Sequence, residues 1–227
     1  MCIHARRCIR GILPLRGPGD EGIKVNFMKK LEKSIQKFTS GKPIRIIALG
    51  DSLTQGWMVR KGYLDFLAEM LRKKYPACDV TIRNRGFPGD TAEGGLFRLR
   101  EDVLDDDPDL VFIQFALNDA FMGIDSGRFK NTIKLMVERI KADTDAEILL
   151  ITSVPIMYEA SDAMAGEFYD VLDDIAEEEG VAIAKVHSYW KKKISEGIDF
   201  KGLVQGDMVH PNVEGYRLMA EAIIASL

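Results

Sequence analysis

Short β-branched runs alternate with longer amphipathic stretches from Lys42 to the end of the chain, and no other feature limits the fold as strongly. Strands are predicted over residues 44–49, 79–83, 110–115, 147–153 and 181–186. Between them apolar residues recur at helical spacing, as in Tyr63, Phe66, Leu67, Met70 and Leu71, or in Phe129, Ile133, Met136, Val137 and Ile140. A third pattern runs through Phe168, Val171, Leu172 and Ile175, and a last one follows Pro211 through Tyr216, Met219 and Ile223. Such alternation builds a parallel sheet with helices on both faces. The expected fold is therefore α/β, a flavodoxin-like three-layer α/β/α sandwich with a five-stranded parallel sheet in the order 2-1-3-4-5. Residues 42–227 are read as one domain, and residues 1–41 as an N-terminal extension, partly disordered or helical.

Composition narrows what the chain can act on. Its 31 basic and 35 acidic side chains give a net charge of -4, which offers no electrostatic reason to bind nucleic acid. No apolar run approaches the ~18 residues of a membrane span. The three cysteines, Cys2, Cys8 and Cys78, form no metal-type pairing and read as free thiols of a reducing compartment. The apolar stretch after Arg6-Arg7 is broken by Arg10, Pro14 and Arg16, too early for a secretory signal core, so a cytoplasmic location is expected. Three histidines without a His/Cys cluster argue against a zinc site. No Gly-x-x-x-x-Gly-Lys-Ser/Thr or Gly-x-Gly-x-x-Gly segment follows the first strand, and no cofactor is expected.

In an open parallel sheet, ligands bind beyond the carboxyl ends of the strands. Three candidate segments lie there: Gly50-Asp51-Ser52-Leu53-Thr54 after the first strand, Asn84-Arg85-Gly86-Phe87-Pro88-Gly89-Asp90 after the second, and Ala116-Leu117-Asn118-Asp119 after the third. The long connection after the fifth strand brings Asp207-Met208-Val209-His210-Pro211 to the same rim. A serine hydroxyl is a weak nucleophile until a base takes its proton. Histidine can accept that proton and return it to a leaving group, and a carboxylate three residues earlier can orient the imidazole. Taken singly, Ser52 would be a helix cap, Gly86 and Gly89 turn glycines, Asn118 a turn residue and His210 an exposed loop residue. Their order and common rim make catalysis the better reading.

These four blocks resemble those of the SGNH hydrolases, the GDSL esterase/lipase family. The resemblance spans about residue 44 to the C-terminus, with Gly50-Asp51-Ser52-Leu53, Asn84-Arg85-Gly86, Asn118-Asp119 and Asp207 through His210 matching in order. It implies that Ser52 is the nucleophile, His210 the general base and Asp207 its orienting carboxylate. It further implies an oxyanion hole made by the Ser52 and Gly86 backbone N–H groups and the Asn118 side-chain amide. The chain departs from the family at Ala116, where glycine is usual. Alanine is expected to fit there and to trim room near the acyl group.

The function this implies is hydrolysis of a small-molecule carboxylic ester through an acyl-enzyme. Short spacings between the blocks leave little chain for a lid, so short acyl groups are expected. Acetylated carbohydrates, acyl thioesters and lysophospholipids are the alternative substrates. The alternative outside enzymology is a ligand-binding flavodoxin-like module. His187 reads as a strand-end surface residue, and Trp57, Met58, Phe87, Phe121, Met122, Met208 and Val209 as candidate walls of a substrate pocket.

Overall fold

The computed structural model describes residues 31–227. Five parallel strands form one sheet: β1 (Ile44–Gly50), β2 (Val80–Gly86), β3 (Leu110–Gln114), β4 (Glu147–Ile151) and β5 (Ala182–Ala184). Their order across the sheet is β2-β1-β3-β4-β5, the flavodoxin-like order expected. Register pairs Gly50 with both Gly86 and Gln114, so β1, β2 and β3 end level with one another. The central strand β3 is buried at every position, which is why its sequence is a run of apolar residues and not an alternation. At the edge, β2 alternates half-buried with exposed residues, and its Arg83 and Arg85 pair with Asp106. Charge of that kind discourages a second chain from adding to an open edge.

The helices in chain order are α1 (Glu32–Ser40), α2 (Ser52–Gln55), α3 (Tyr63–Lys74), α4 (Ala92–Phe97), α5 (Leu99–Asp102), α6 (Leu117–Phe121), α7 (Ser126–Asp143), α8 (Glu159–Glu178), α9 (Val186–Ser195) and α10 (Val213–Ile224). They pack in two groups, α3 with α10 and α10 with α9 in one, α4 with α7 and α7 with α8 in the other. Tyr63, Leu67 and Leu71 of α3 and Ile133, Met136, Val137 and Ile140 of α7 are all buried against the core. Each such aliphatic side chain contributes about 1.5–3 kcal/mol on burial.

Two boundaries differ from the sequence reading. Residues 1–30 of the expected extension lie outside the described residues, whereas α1 is part of the folded domain. Leu31 and Phe38 sit in the core, and the Lys33 and Ser34 N–H groups at the start of α1 donate to the Glu147 carboxylate at the head of β4. The fifth strand is shorter than 181–186, because Val186 opens α9 and turns His187 into a helical residue.

Candidate active site

The site begins where β1 stops. The Asp51 side chain caps α2, accepting the Leu53 N–H at 2.8 Å, and Ser52 is the first residue of that short helix. Serine here is 6% exposed, so its hydroxyl is reached only from one side. The end of β2 packs directly on this turn. A Cβ at Gly86 would lie 2.2 Å from the Gln55 nitrogen and 2.7 Å from the Thr54 carbonyl carbon, so only glycine allows the approach.

His210 arrives from the far end of the chain. Its Nε2 lies 2.9 Å from Ser52 Oγ, across 158 residues of sequence. On the other side of the ring, Nδ1 lies 2.7 Å from Asp207 Oδ2. Asp207 Oδ1 accepts the Val209 N–H at 3.0 Å and the His210 N–H at 2.9 Å, so one carboxylate closes the turn and holds the imidazole. Partial burial works against the Asp207 charge, yet these two backbone donors and the imidazole hold its carboxyl below the ordinary range. The turn also needs Met208 at φ 60°, a left-handed conformation that the Asp207 bonds stabilise. Gln205 anchors the loop, donating from Nε2 to the Trp57 and Pro211 carbonyls at 2.9 Å each. Trp57 in turn lies beside this histidine, its ring 6.1 Å from that of His210.

The loop after β2 is held by Arg98. Its guanidinium donates to the Gly50 carbonyl at 3.0 Å, the Arg85 carbonyl at 2.9 Å and Asp90 Oδ2 at 2.9 Å, and lies over the Phe87 ring. Asn118 Nδ2 donates to the Asp90 carbonyl at 2.8 Å, which pins the side-chain amide against the same loop and leaves its second N–H available. Asp119 accepts the Ala92 N–H at 3.0 Å; burial pushes its carboxyl up to about 6. Asp51 is wholly buried, and burial pushes it up to about 7 despite the Leu53 and Gln114 donors.

Ser52, Asp207 and His210 are thus brought together, with the Asn118 side chain fixed on the neighbouring loop. Gly86 does not fit the donor role assigned from sequence. Its N–H is already given to Asn84 Oδ1 at 2.9 Å, and its close approach is to the α2 backbone. Gly89, three residues on, has φ +78° and open space where a Cβ would stand, and its N–H has no acceptor among the described residues. The Pro88-Gly89 pair was visible as a turn, but sequence alone could not tell which glycine turns its amide outward. His187 is likewise more than a surface residue, since its Nε2 lies 2.9 Å from Asp162 Oδ1 and its ring rests against Tyr169. Of the candidate wall residues, Trp57 lies beside His210, Met208 and Val209 pack half-buried against the core, and Met58, Phe87, Phe121 and Met122 are exposed.

Ala116 does not simply fit. It stands between β3 and α6 at φ 133° and ψ -42°, a region that L side chains rarely adopt. Such a conformation costs about 1–3 kcal/mol. Ala116→Gly removes that strain, against a smaller loss from the flexible unfolded chain and one buried methyl. The expected result is a melting temperature higher by about 2–4 °C in thermal denaturation, as about 1 kcal/mol produces in a domain of this size. A lower melting temperature would show that the neighbouring packing already absorbs the strain.

Comparison with known proteins points one way. The model of the GDSL-like lipase/acylhydrolase family matches residues 48–218. The chain is 26% identical over 185 residues to an arylesterase of Vibrio mimicus, covering 81% of this chain and 88% of that one. It is 23% identical over 215 residues to an acetylxylan esterase of Geobacillus stearothermophilus, covering 84% and 96%. The crystal structure of an acetylxylan esterase from that organism superposes with a TM-score of 0.72 at 22% identity, over 81% of this chain and 93% of the other. Three variants of that enzyme described as catalytic mutants each replace a serine, a histidine or an aspartate by alanine.

Proposed function

The chain belongs to the GDSL-like lipase/acylhydrolase family and is a carboxylic ester hydrolase, and from that premise we propose that it cleaves short-acyl esters through a Ser52 acyl-enzyme. The observation that carries this reading is the line Ser52 Oγ, His210 Nε2, His210 Nδ1, Asp207 Oδ2, with gaps of 2.9 and 2.7 Å. In the proposed reaction His210 takes the serine proton as Oγ attacks the carbonyl carbon. Asp207 keeps the proton on Nδ1 and stabilises the imidazolium that forms. The carbonyl oxygen becomes an oxyanion, which the Ser52 N–H, the Gly89 N–H and the free N–H of Asn118 Nδ2 would receive. Losing one such donor typically costs ~2.7–4 kcal/mol of barrier. His210 then protonates the departing alcohol, and a water, deprotonated by the same imidazole, releases the acid and restores Ser52.

Two observations support short acyl groups. The connections from β1 into α2 and from β3 into α6 are brief, one residue and two residues long. The acetylxylan esterase among the relatives is a deacetylase by its description. With a constant p-nitrophenol leaving group, kcat/KM is expected to be highest for acetyl and butyryl esters and to fall for octanoyl and palmitoyl. A maximum at the long chains would overturn the short-acyl reading while leaving the ester chemistry intact. The same relative makes an acetylated xylooligosaccharide the natural second substrate for this assay, and acyl thioesters the control.

A further inference from the structure

Beneath the nucleophile turn lies a buried polar cluster that the proposed reaction does not use. Gln114, the last residue of β3, is 0% exposed and its primary amide is fully engaged. Its Oε1 accepts the Thr54 hydroxyl at 2.8 Å. Its Nε2 donates to Ser153 Oγ at 2.8 Å and, at a longer 3.3 Å, to Asp51 Oδ2. Thr54 Oγ1 lies 3.2 Å from the Tyr63 hydroxyl of α3. A buried amide with three partners tolerates little displacement, because any lost bond leaves an unsatisfied polar group in a dry interior.

The arrangement is placed where it counts. Asp51 precedes Ser52 and Thr54 lies two residues after it, so one side chain grips α2 on both sides of the hydroxyl. Among the described residues, Gln114 is the only side chain that donates to Asp51, whose other oxygen is spent on the Leu53 N–H cap. The other side of the turn packs against the Gly86 backbone, and the Asn84 side-chain amide donates to the Gln55 carbonyl there at 3.3 Å.

We propose that Gln114 is a positioning residue for the nucleophile, clamping Asp51 and Thr54 so that Ser52 Oγ stays opposite His210 Nε2. It touches neither substrate nor reacting atoms. The inference rests on the reading of Ser52 as nucleophile. A displacement of about 1 Å in a reacting group is enough to cost about 10²-fold in rate.

The test uses the full chain with p-nitrophenyl acetate, and circular dichroism to verify that each variant is folded. Gln114→Met keeps the length and removes all three bonds; kcat is expected to fall about 10- to 100-fold with KM within about threefold of wild type. Thr54→Val removes one arm of the clamp with no change of shape and is expected to lower kcat about 3- to 10-fold, again at constant KM. In the double variant the losses should not multiply, because both changes open the same clamp. The rate at which a fluorophosphonate labels the serine should fall with kcat, a readout that loss of stability in a folded sample does not move. Folded variants that keep wild-type kcat, or losses that multiply in the double variant, would overturn the proposal; if Gln114→Met does not fold, Thr54→Val alone decides. Failure of the underlying reading is told apart by Ser52→Ala, which would then retain wild-type turnover whatever happens at Gln114.

Discussion

Ser52→Ala is expected to lower kcat for p-nitrophenyl acetate by at least about 10⁴-fold, to the level left by the oxyanion donors and binding. Among the described residues no other hydroxyl is placed to replace it. Thr54 Oγ1 is buried and committed to Gln114, and Ser153 Oγ accepts from the same amide. His210→Ala should cost about as much, since an unassisted serine is a poor nucleophile. Because the two residues act as a unit, the double variant should be scarcely worse than either single one. Losses that multiply across the two would mean that His210 acts on something other than Ser52. The fold should be retained, since Ser52 is a small residue whose hydroxyl, among the described residues, bonds only to His210.

Asp207→Asn carries the second large effect, an expected drop in kcat of about 10²–10³-fold with KM little changed. The amide oxygen can still accept the Val209 and His210 N–H groups, so the turn at Met208 survives. Its NH₂ group then faces Nδ1, which favours the imidazole tautomer that carries its proton on Nε2. A protonated Nε2 cannot receive the serine proton. The same substitution in a buried triad costs ~10⁴-fold through the wrong tautomer. The smaller figure reflects exposure: the Asp207 side chain is 45% accessible, so water can partly stand in for it. Steady-state kinetics beside a melting curve separates the two contributions. A loss below about threefold would assign Asp207 to the turn alone.

The parts of the fold that the chain announces are those governed by periodicity. Strands β1 and β3 are apolar apart from Arg45 and Gln114 because both faces of the sheet are covered, and α3 and α7 bury most of the residues their helical spacing picks out. From these the covered parallel sheet follows by packing rules, and the shared rim follows once the flavodoxin-like order is taken among the doubly wound ones. What stayed hidden depends on single backbone angles and single acceptors. Nothing in Asn84-Arg85-Gly86-Phe87-Pro88-Gly89 says that the Gly86 amide turns to Asn84 while that of Gly89 stays open. Nor does the residue type at Ala116 disclose φ 133°. Gln114 carried no motif at all. It reads as one polar residue at the end of a strand, and only the meeting of β1, β3 and β4 reveals its partners. The docking of α1 on the domain was hidden for a related reason, since its first N–H groups meet Glu147, more than 110 residues away.

The central claim, that Ser52 is acylated with His210 as its base, is tested most directly by trapping the serine. Wild-type protein treated with a fluorophosphonate and digested for mass spectrometry should carry one adduct, on the peptide that contains Ser52. Labelling should proceed in step with loss of esterase activity and should slow by orders of magnitude in His210→Ala. Full inactivation with the adduct on another residue, or undiminished turnover after Ser52 is modified, would contradict the account.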